Sequence, residues 1–237
     1  GELFYCSEDK ELSGLVQSEE IKTSVTPYSA LEYSIRKEGT IVKYKNKTFH
    51  TTLIGRYNVE NMTGAMLICK KLGIDQEQFL ASMESFQGAS KRQEKIYEDD
   101  RIMVFQDFAH APSKVKATVE GFRESFPDLK LVACLELHTF SSLNKDFIPQ
   151  YAGSMDRADE AVVYFNPEVV KHKKLPEILP DYVTECFRKP GLKVITEAAL
   201  LKKYIHEVAT QEKVLILIMT SGNLGGIDVK NLNTFKP

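Results

Sequence analysis

Asp107, Phe108 and His110 stand together in the stretch QDFAHAPSKVKAT, directly after the apolar run IMVF and directly before a helical pattern. A carboxylate just past a buried strand can accept hydrogen bonds from ribose hydroxyls, and His110 follows it closely. Plainer uses compete. Asp107 can cap the next turn and His110 can be a partly buried surface ring, while Pro112 and Ser113 are residue types expected at a helix start. A second candidate is TSGNLGG, Thr220 to Gly226, which follows the strongly apolar VLILIM. Small residues there let the backbone N–H groups around Ser221, Gly222 and Asn223 come close to an anion or a ligand carboxylate.

Two further sets carry hydrogen-bonding potential. Asn58 and Asn61, three apart at the start of a helical pattern, can point the same way. An amide offers a donor and an acceptor together, which suits the edge of an adenine ring, although Asn58 can equally serve as a helix cap. Arg92, in KRQE, can match phosphate oxygens with its planar fork or remain a solvated linker charge. No catalytic residue and no metal ligand is singled out. Cys6, Cys69, Cys134 and Cys186 are far apart, with no C-x-x-C pair, and read as reduced core thiols of a cytosolic protein.

The elements that must position these residues follow from apolar patterning. The 237 residues are enough for one and a half to two domains of ordinary size, and 43% apolar with 27% charged residues excludes disordered and fibrous classes. A net charge of −2 argues against a nucleic-acid partner, which would demand a clustered Lys/Arg excess. No run approaches the roughly 20 apolar residues that cross a bilayer, so no membrane partner is expected. The first 55 or so residues are rich in strand signals, including two strands joined near Asn46. Val59, Met62, Met66 and Cys69 then share one helical face that stops at Gly73, and Asp75 with Gln78 opens a second helix. The small, charged segment Gln87 to Lys95 marks a boundary, giving expected domains 1–89 and 90–237. Beyond it, the runs 102–105, 131–136, 161–165, 192–195 and 214–219 alternate with helical patterns, the first showing Val115, Val119, Phe122 and Phe126 on one face. That alternation predicts an α/β, Rossmann-like, mainly parallel sheet with helices on both faces. Ligands gather at the carboxyl ends of such strands, where Asp107 to His110, His138 to Ser142 and Thr220 to Gly226 all fall.

Taken in order, GRYNVEN, SKRQE, QDFAHAPSKVKAT, LELH, SMDRADEAVVYF and ILIMTSGNLGGI resemble the later portion of a Mur ligase, from about Phe49 to Val229. DFAHAP is similar to the D-[YF]-[AG]-H-H-P motif of the members that use UDP-N-acetylmuramate. RADEAVVYFNP and MTSGNLGGI resemble the murein peptide ligase branch, which joins L-alanyl-γ-D-glutamyl-meso-diaminopimelate to UDP-N-acetylmuramate; the L-alanine-adding branch is the alternative. The resemblance implies that 1–89 is the tail of a central α/β ATPase domain and 90–237 a C-terminal domain that receives the amine and closes over the nucleotide. It implies ATP and Mg²⁺ as cofactors, a cytoplasmic setting in peptidoglycan synthesis and murein recycling, and N-terminal domains of the same polypeptide as partners. The sequence contains no G-x-x-x-x-G-K-[ST], so the chain is expected to be a fragment lacking the P-loop and inactive alone.

Position by position, the resemblance gives Asn58 and Asn61 to adenine, Arg92 to the nucleotide phosphates, and Asp107 to the ribose, with His110 as the first histidine of its motif. Phe108, His138, Ser141, Ser142, Ser221, Gly222 and Asn223 become substrate-binding candidates. The departures are Tyr57 where the family often has His, Ala111 for the second histidine, and Thr139 and Ser142 for two arginines of the alanine-adding branch. The chemistry implied is ADP-forming: the lactyl carboxylate is activated as an acyl phosphate, and an amine displaces the phosphate to form the amide. A non-catalytic nucleotide- or peptide-binding module is the rival class.

Overall fold

The structure is a computed structural model that describes residues 1–18, 21–37, 39–211 and 213–230. It divides into two compact units, Gly1–Gly88 and Ala89–Pro237.

In the first unit, β1 (Glu2–Cys6), α1 (Lys10–Ser18) and β2 (Ser24–Tyr28) form a parallel pair with its connecting helix. Next come β3 (Glu32–Arg36), β4 (Gly39–Tyr44) and β5 (Lys47–Thr51), an antiparallel sheet whose second turn lies at Lys45 and Asn46 as the sequence predicts. The helix α2 (Arg56–Lys71) buries Val59, Met62 and Met66; Cys69, expected on the same face, is only half-buried. Its end is a closed turn. Gly73, at φ 87°, donates to the Lys70 carbonyl and Ile74 donates to that of Cys69, satisfying carbonyls a helix end leaves open. Asp75 then caps α3 (Gln76–Met83), its Oδ1 accepting from the Glu77 and Gln78 amides. The core of this unit joins Val42 and Phe49 to Val59, Met62, Met66 and Leu80.

The second unit is one six-stranded sheet. Its elements are β6 (Glu94–Glu98), β7 (Ile102–Asp107), α4 (Pro112–Ser125), β8 (Lys130–Glu136), β9 (Glu160–Tyr164), α5 (Pro167–His172), α6 (Pro180–Phe187), β10 (Lys193–Ile195), α7 (Ala198–Ala209) and β11 (Val214–Met219). The strand order is β10-β9-β8-β11-β7-β6, all parallel except β6, which runs antiparallel on β7. Helices cover both faces. On one, α7 brings Leu201, Ile205 and Val208 against Val104, Val132 and Ile216; on the other, Phe105 meets Phe122 of α4 with ring centroids 4.9 Å apart. Burial on both sides is why these strands read as continuous apolar runs. The chain steps outward from β8 to β10, then returns to insert β11 between β7 and β8. The carboxyl ends of β7, β11 and β8 therefore lie side by side, the crevice where doubly wound sheets bind ligands.

Candidate functional site

Asp107 is the last residue of β7 and is 6% exposed. Its Oδ1 accepts the Ala109 N–H at 2.7 Å, and its Oδ2 accepts the Gln93 N–H at 2.9 Å. One carboxylate thus ties the segment entering β6 to the turn leaving β7. Burial raises its pKa above the usual carboxylate value, opposed by those two amides and by the charges of Arg92 and Lys114. Each oxygen keeps a second lone pair, so the turn-capping use and a ligand contact are compatible. Arg92 is exposed nearby, and Phe108 is exposed at the corner itself. His110 is half-buried. Its Nδ1 donates to the Phe108 carbonyl at 2.9 Å, which leaves Nε2 as the ring nitrogen not used in that contact. The Tyr151 hydroxyl donates to the His110 carbonyl and holds the corner from behind.

At the end of β8, Glu136 is 4% exposed in an otherwise apolar strand. Its Oε2 accepts the Thr220 hydroxyl and, at 3.1 Å, the Leu224 N–H, both from the segment leaving β11. Its Oε1 faces Nδ1 of His138 at 3.8 Å. The Thr220 hydroxyl in turn accepts the Gly222 N–H at 2.9 Å. Gly222 is required by close approach: a Cβ there would lie 2.6 Å from Cγ of His138 and 2.7 Å from Oε2 of Glu136. Beneath the same loop, the buried Tyr164 hydroxyl has no hydrogen-bond partner among the described residues, and burial followed by the Glu136 charge raises its pKa.

The two corners are continuous. Thr220 N–H donates to the Asp107 carbonyl at 2.9 Å, extending the β11 to β7 ladder by one step. Past Thr220, Gly222, Asn223 and Leu224 border a cleft of about 310 Å³ that also takes in Gln106, Lys91 and Lys230. Asn223 is exposed, and the Ser221 hydroxyl is buried with no partner among the described residues. Ser141 is exposed on the turn after His138, whereas Ser142 is 1% exposed. Its hydroxyl and amide are both engaged with Thr139, so it shapes the turn.

Asn58 and Asn61 lie in the first unit, in the opening turns of α2. Gly55, at φ 88°, is the N-cap, so the capping use of Asn58 does not apply; its side chain donates to the Ile54 carbonyl at 2.8 Å. Asn61 is exposed one turn on. Among the described residues, no three His, Cys, Asp or Glu side chains converge as a metal cage, and no helix is long and apolar enough to cross a membrane.

Glu136 is the participant that sequence reasoning passed over, whereas Thr220 heads a loop already singled out. The available signal was an acidic residue closing an apolar strand, the same signal that drew attention to Asp107.

No protein-family model matches the chain. Over 176 residues it is 27% identical to the UDP-N-acetylmuramate–L-alanine ligase of Desulfitobacterium hafniense, an alignment covering 74% of this chain and 37% of that protein. Its fold is that of the UDP-N-acetylmuramate-alanine ligase from Thermotoga maritima (TM-score 0.68, 18% identity, 98% of this chain and 50% of that one). It is equally similar to a murein peptide ligase from Psychrobacter arcticus (TM-score 0.67, 20% identity, 99% of this chain and 51% of that one). The chain thus spans between 37% and 51% of the length of these proteins.

Proposed function

The chain belongs to the Mur ligase family, and from that premise we propose that it supplies the nucleotide-closing and amine-receiving part of an ATP-dependent, ADP-forming amide ligase of peptidoglycan assembly. One observation carries the reading. The Asp107 corner and the Thr220 to Gly226 loop leave adjacent strands and are joined by the Thr220 to Asp107 hydrogen bond, so a phosphate-bearing ligand and an amine can be held one strand apart. ATP is a substrate of this chemistry: its γ-phosphoryl group activates the lactyl carboxylate of UDP-N-acetylmuramate, with Mg²⁺ offsetting the crowded charge. No metal cage lies among the described residues and the sequence has no P-loop, so in this reading the metal and most of the phosphate contacts belong to residues outside it.

Within the chain, the roles fall as follows. Asn58 and Asn61 meet the adenine edge. Arg92 approaches the phosphates, its charge already felt by Asp107, while Asp107 and His110 take the sugar side. Phe108, His138, Ser141, Ser221, Gly222 and Asn223 form the rim that receives the amine, with Ser142 fixing the turn beneath it. Catalysis by such a rim is positioning of the amine against the activated carbonyl. The preferred acceptor is the peptide L-alanyl-γ-D-glutamyl-meso-diaminopimelate, because Thr139 and the inward-facing Ser142 stand where the alanine-adding branch has arginines. L-Alanine is the second reading, favoured by the name of the relative at 27% identity.

Competition between the two acceptors in the full-length enzyme, with ATP and UDP-N-acetylmuramate, decides the matter. Incorporation of the peptide is expected; incorporation of L-alanine alone selects the second reading, and incorporation of neither overturns both. In the same assay Asp107→Ala raises the KM for ATP about tenfold, the scale of one charge-assisted hydrogen bond. An unchanged value removes Asp107 from the nucleotide site.

A further inference from the structure

We propose that Glu136 is the positioning residue of the amine-receiving corner: a buried carboxylate that sets where His138 and the Gly222 amide stand without itself touching the substrate. This rests on the reading of the His138 and Gly222 rim as the acceptor site.

A carboxylate 4% exposed at the end of an apolar strand persists only if its charge is matched by donors. Glu136 divides its donors by oxygen. Oε2 takes the Thr220 hydroxyl and the Leu224 N–H, and the Thr220 oxygen then takes the Gly222 N–H at 2.9 Å. The direction of the Gly222 amide is therefore fixed by the carboxylate through a single hydroxyl. Leu224 is held at φ 50°, a left-handed conformation unfavourable for a leucine, and its N–H is the group that Glu136 grips. Oε1 faces His138 Nδ1 at 3.8 Å, a distance that a ring rotation or a bound ligand can close. The backbone takes part as well: Gly222 lies so close to Glu136 and His138 that no side chain fits between them. A residue whose only task was to pin the loop would be complete with Oε2. The second oxygen, turned to an imidazole that is one-third exposed, couples the loop to a side chain a substrate can reach.

The test uses the full-length enzyme and whichever acceptor it joins, L-alanine or the tripeptide. Glu136→Gln keeps a carbonyl oxygen for Thr220 and Leu224 while removing the charge that faces His138. The acceptor KM is expected to rise about tenfold to a hundredfold, with the KM for ATP and the unfolding temperature unchanged. Thr220→Val breaks the relay to the Gly222 amide and gives the same selective loss; Thr220→Ser restores it. His138→Ala separates the two layers of the argument. If it raises the acceptor KM and Glu136→Gln does not, the role of Glu136 is overturned and the rim reading stands. Should neither variant change the acceptor KM, the rim reading falls as well. If Glu136→Gln weakens ATP and acceptor equally and lowers the unfolding temperature, Glu136 is a pin of the fold and the proposal is overturned.

Discussion

Asp107 and Glu136 end the two strands that flank β11, and the fold gives them opposite employments. The aspartate is short and turns back on its own chain, spending one oxygen on the Ala109 amide and the other on Gln93. The glutamate is one methylene longer and reaches over the end of β11, where it organises the neighbouring loop and faces an imidazole. A carboxylate at the tip of a buried strand is thus no single device. Its reach decides whether it closes its own corner or shapes the next one, and only the second leaves an oxygen turned toward a side chain that a ligand can meet.

The largest expected effect removes the support beneath the aspartate corner while sparing the glutamate corner. Phe122→Ala empties the position that packs on Phe105, two residues before Asp107, and should cost about 3–5 kcal/mol. Calorimetric unfolding checks this; a loss below about 1 kcal/mol would mean that α4 does not hold β7 in place. A smaller effect distinguishes the two charges by pH. The folded-state pKa of Asp107 is raised above its ordinary 3.8, chiefly by burial. Its contribution to stability is therefore full below 3.8 and lost as the pH rises through the folded pKa. Asp107→Asn, which carries no charge, should gain on the wild type as the pH climbs through that window, and the difference should level off above it. Denaturant titrations across the acid range measure this, and a difference that shrinks with rising pH contradicts the assignment. The smallest effect has the opposite sign. Tyr164→Phe deletes a buried hydroxyl that lacks a partner among the described residues, beside the Glu136 charge, and should stabilise the protein by up to about 1 kcal/mol. A clear loss of stability would show that the hydroxyl is bonded in solution.

Much of this arrangement was legible in the residues alone. Four of the five parallel strands, β7, β8, β9 and β11, announced themselves because burial on both faces demands unbroken apolar runs, and the helical pattern of α4 did so because Val115, Val119, Phe122 and Phe126 all turn inward. The Gly73 stop and the Asp75 cap were readable because both are local chemistry, complete within a few residues. Glu136 was hidden for the converse reason. Its partners lie 84 and 88 residues away in sequence, and nothing near position 136 says that β11 will be inserted beside it. Ser142 shows the same limit in reverse: a serine in a polar turn reads as available, and only packing turns it toward Thr139. The need for glycine at 222 belongs to this class too, since it comes from an approach of His138 and Glu136 that no local pattern encodes.

The two outermost strands of the six-stranded sheet carry a consequence for the molecule in a crowded solution. One border, β10, is three residues long and begins with Lys193; the other, β6, runs against its neighbour's direction and carries Glu94, Lys95 and Glu98. A border that is short or charged is a poor template for a foreign strand. The apolar ribbons of β7, β8 and β11 are fenced inside those borders, so association through this sheet should begin only after an outer strand has peeled away.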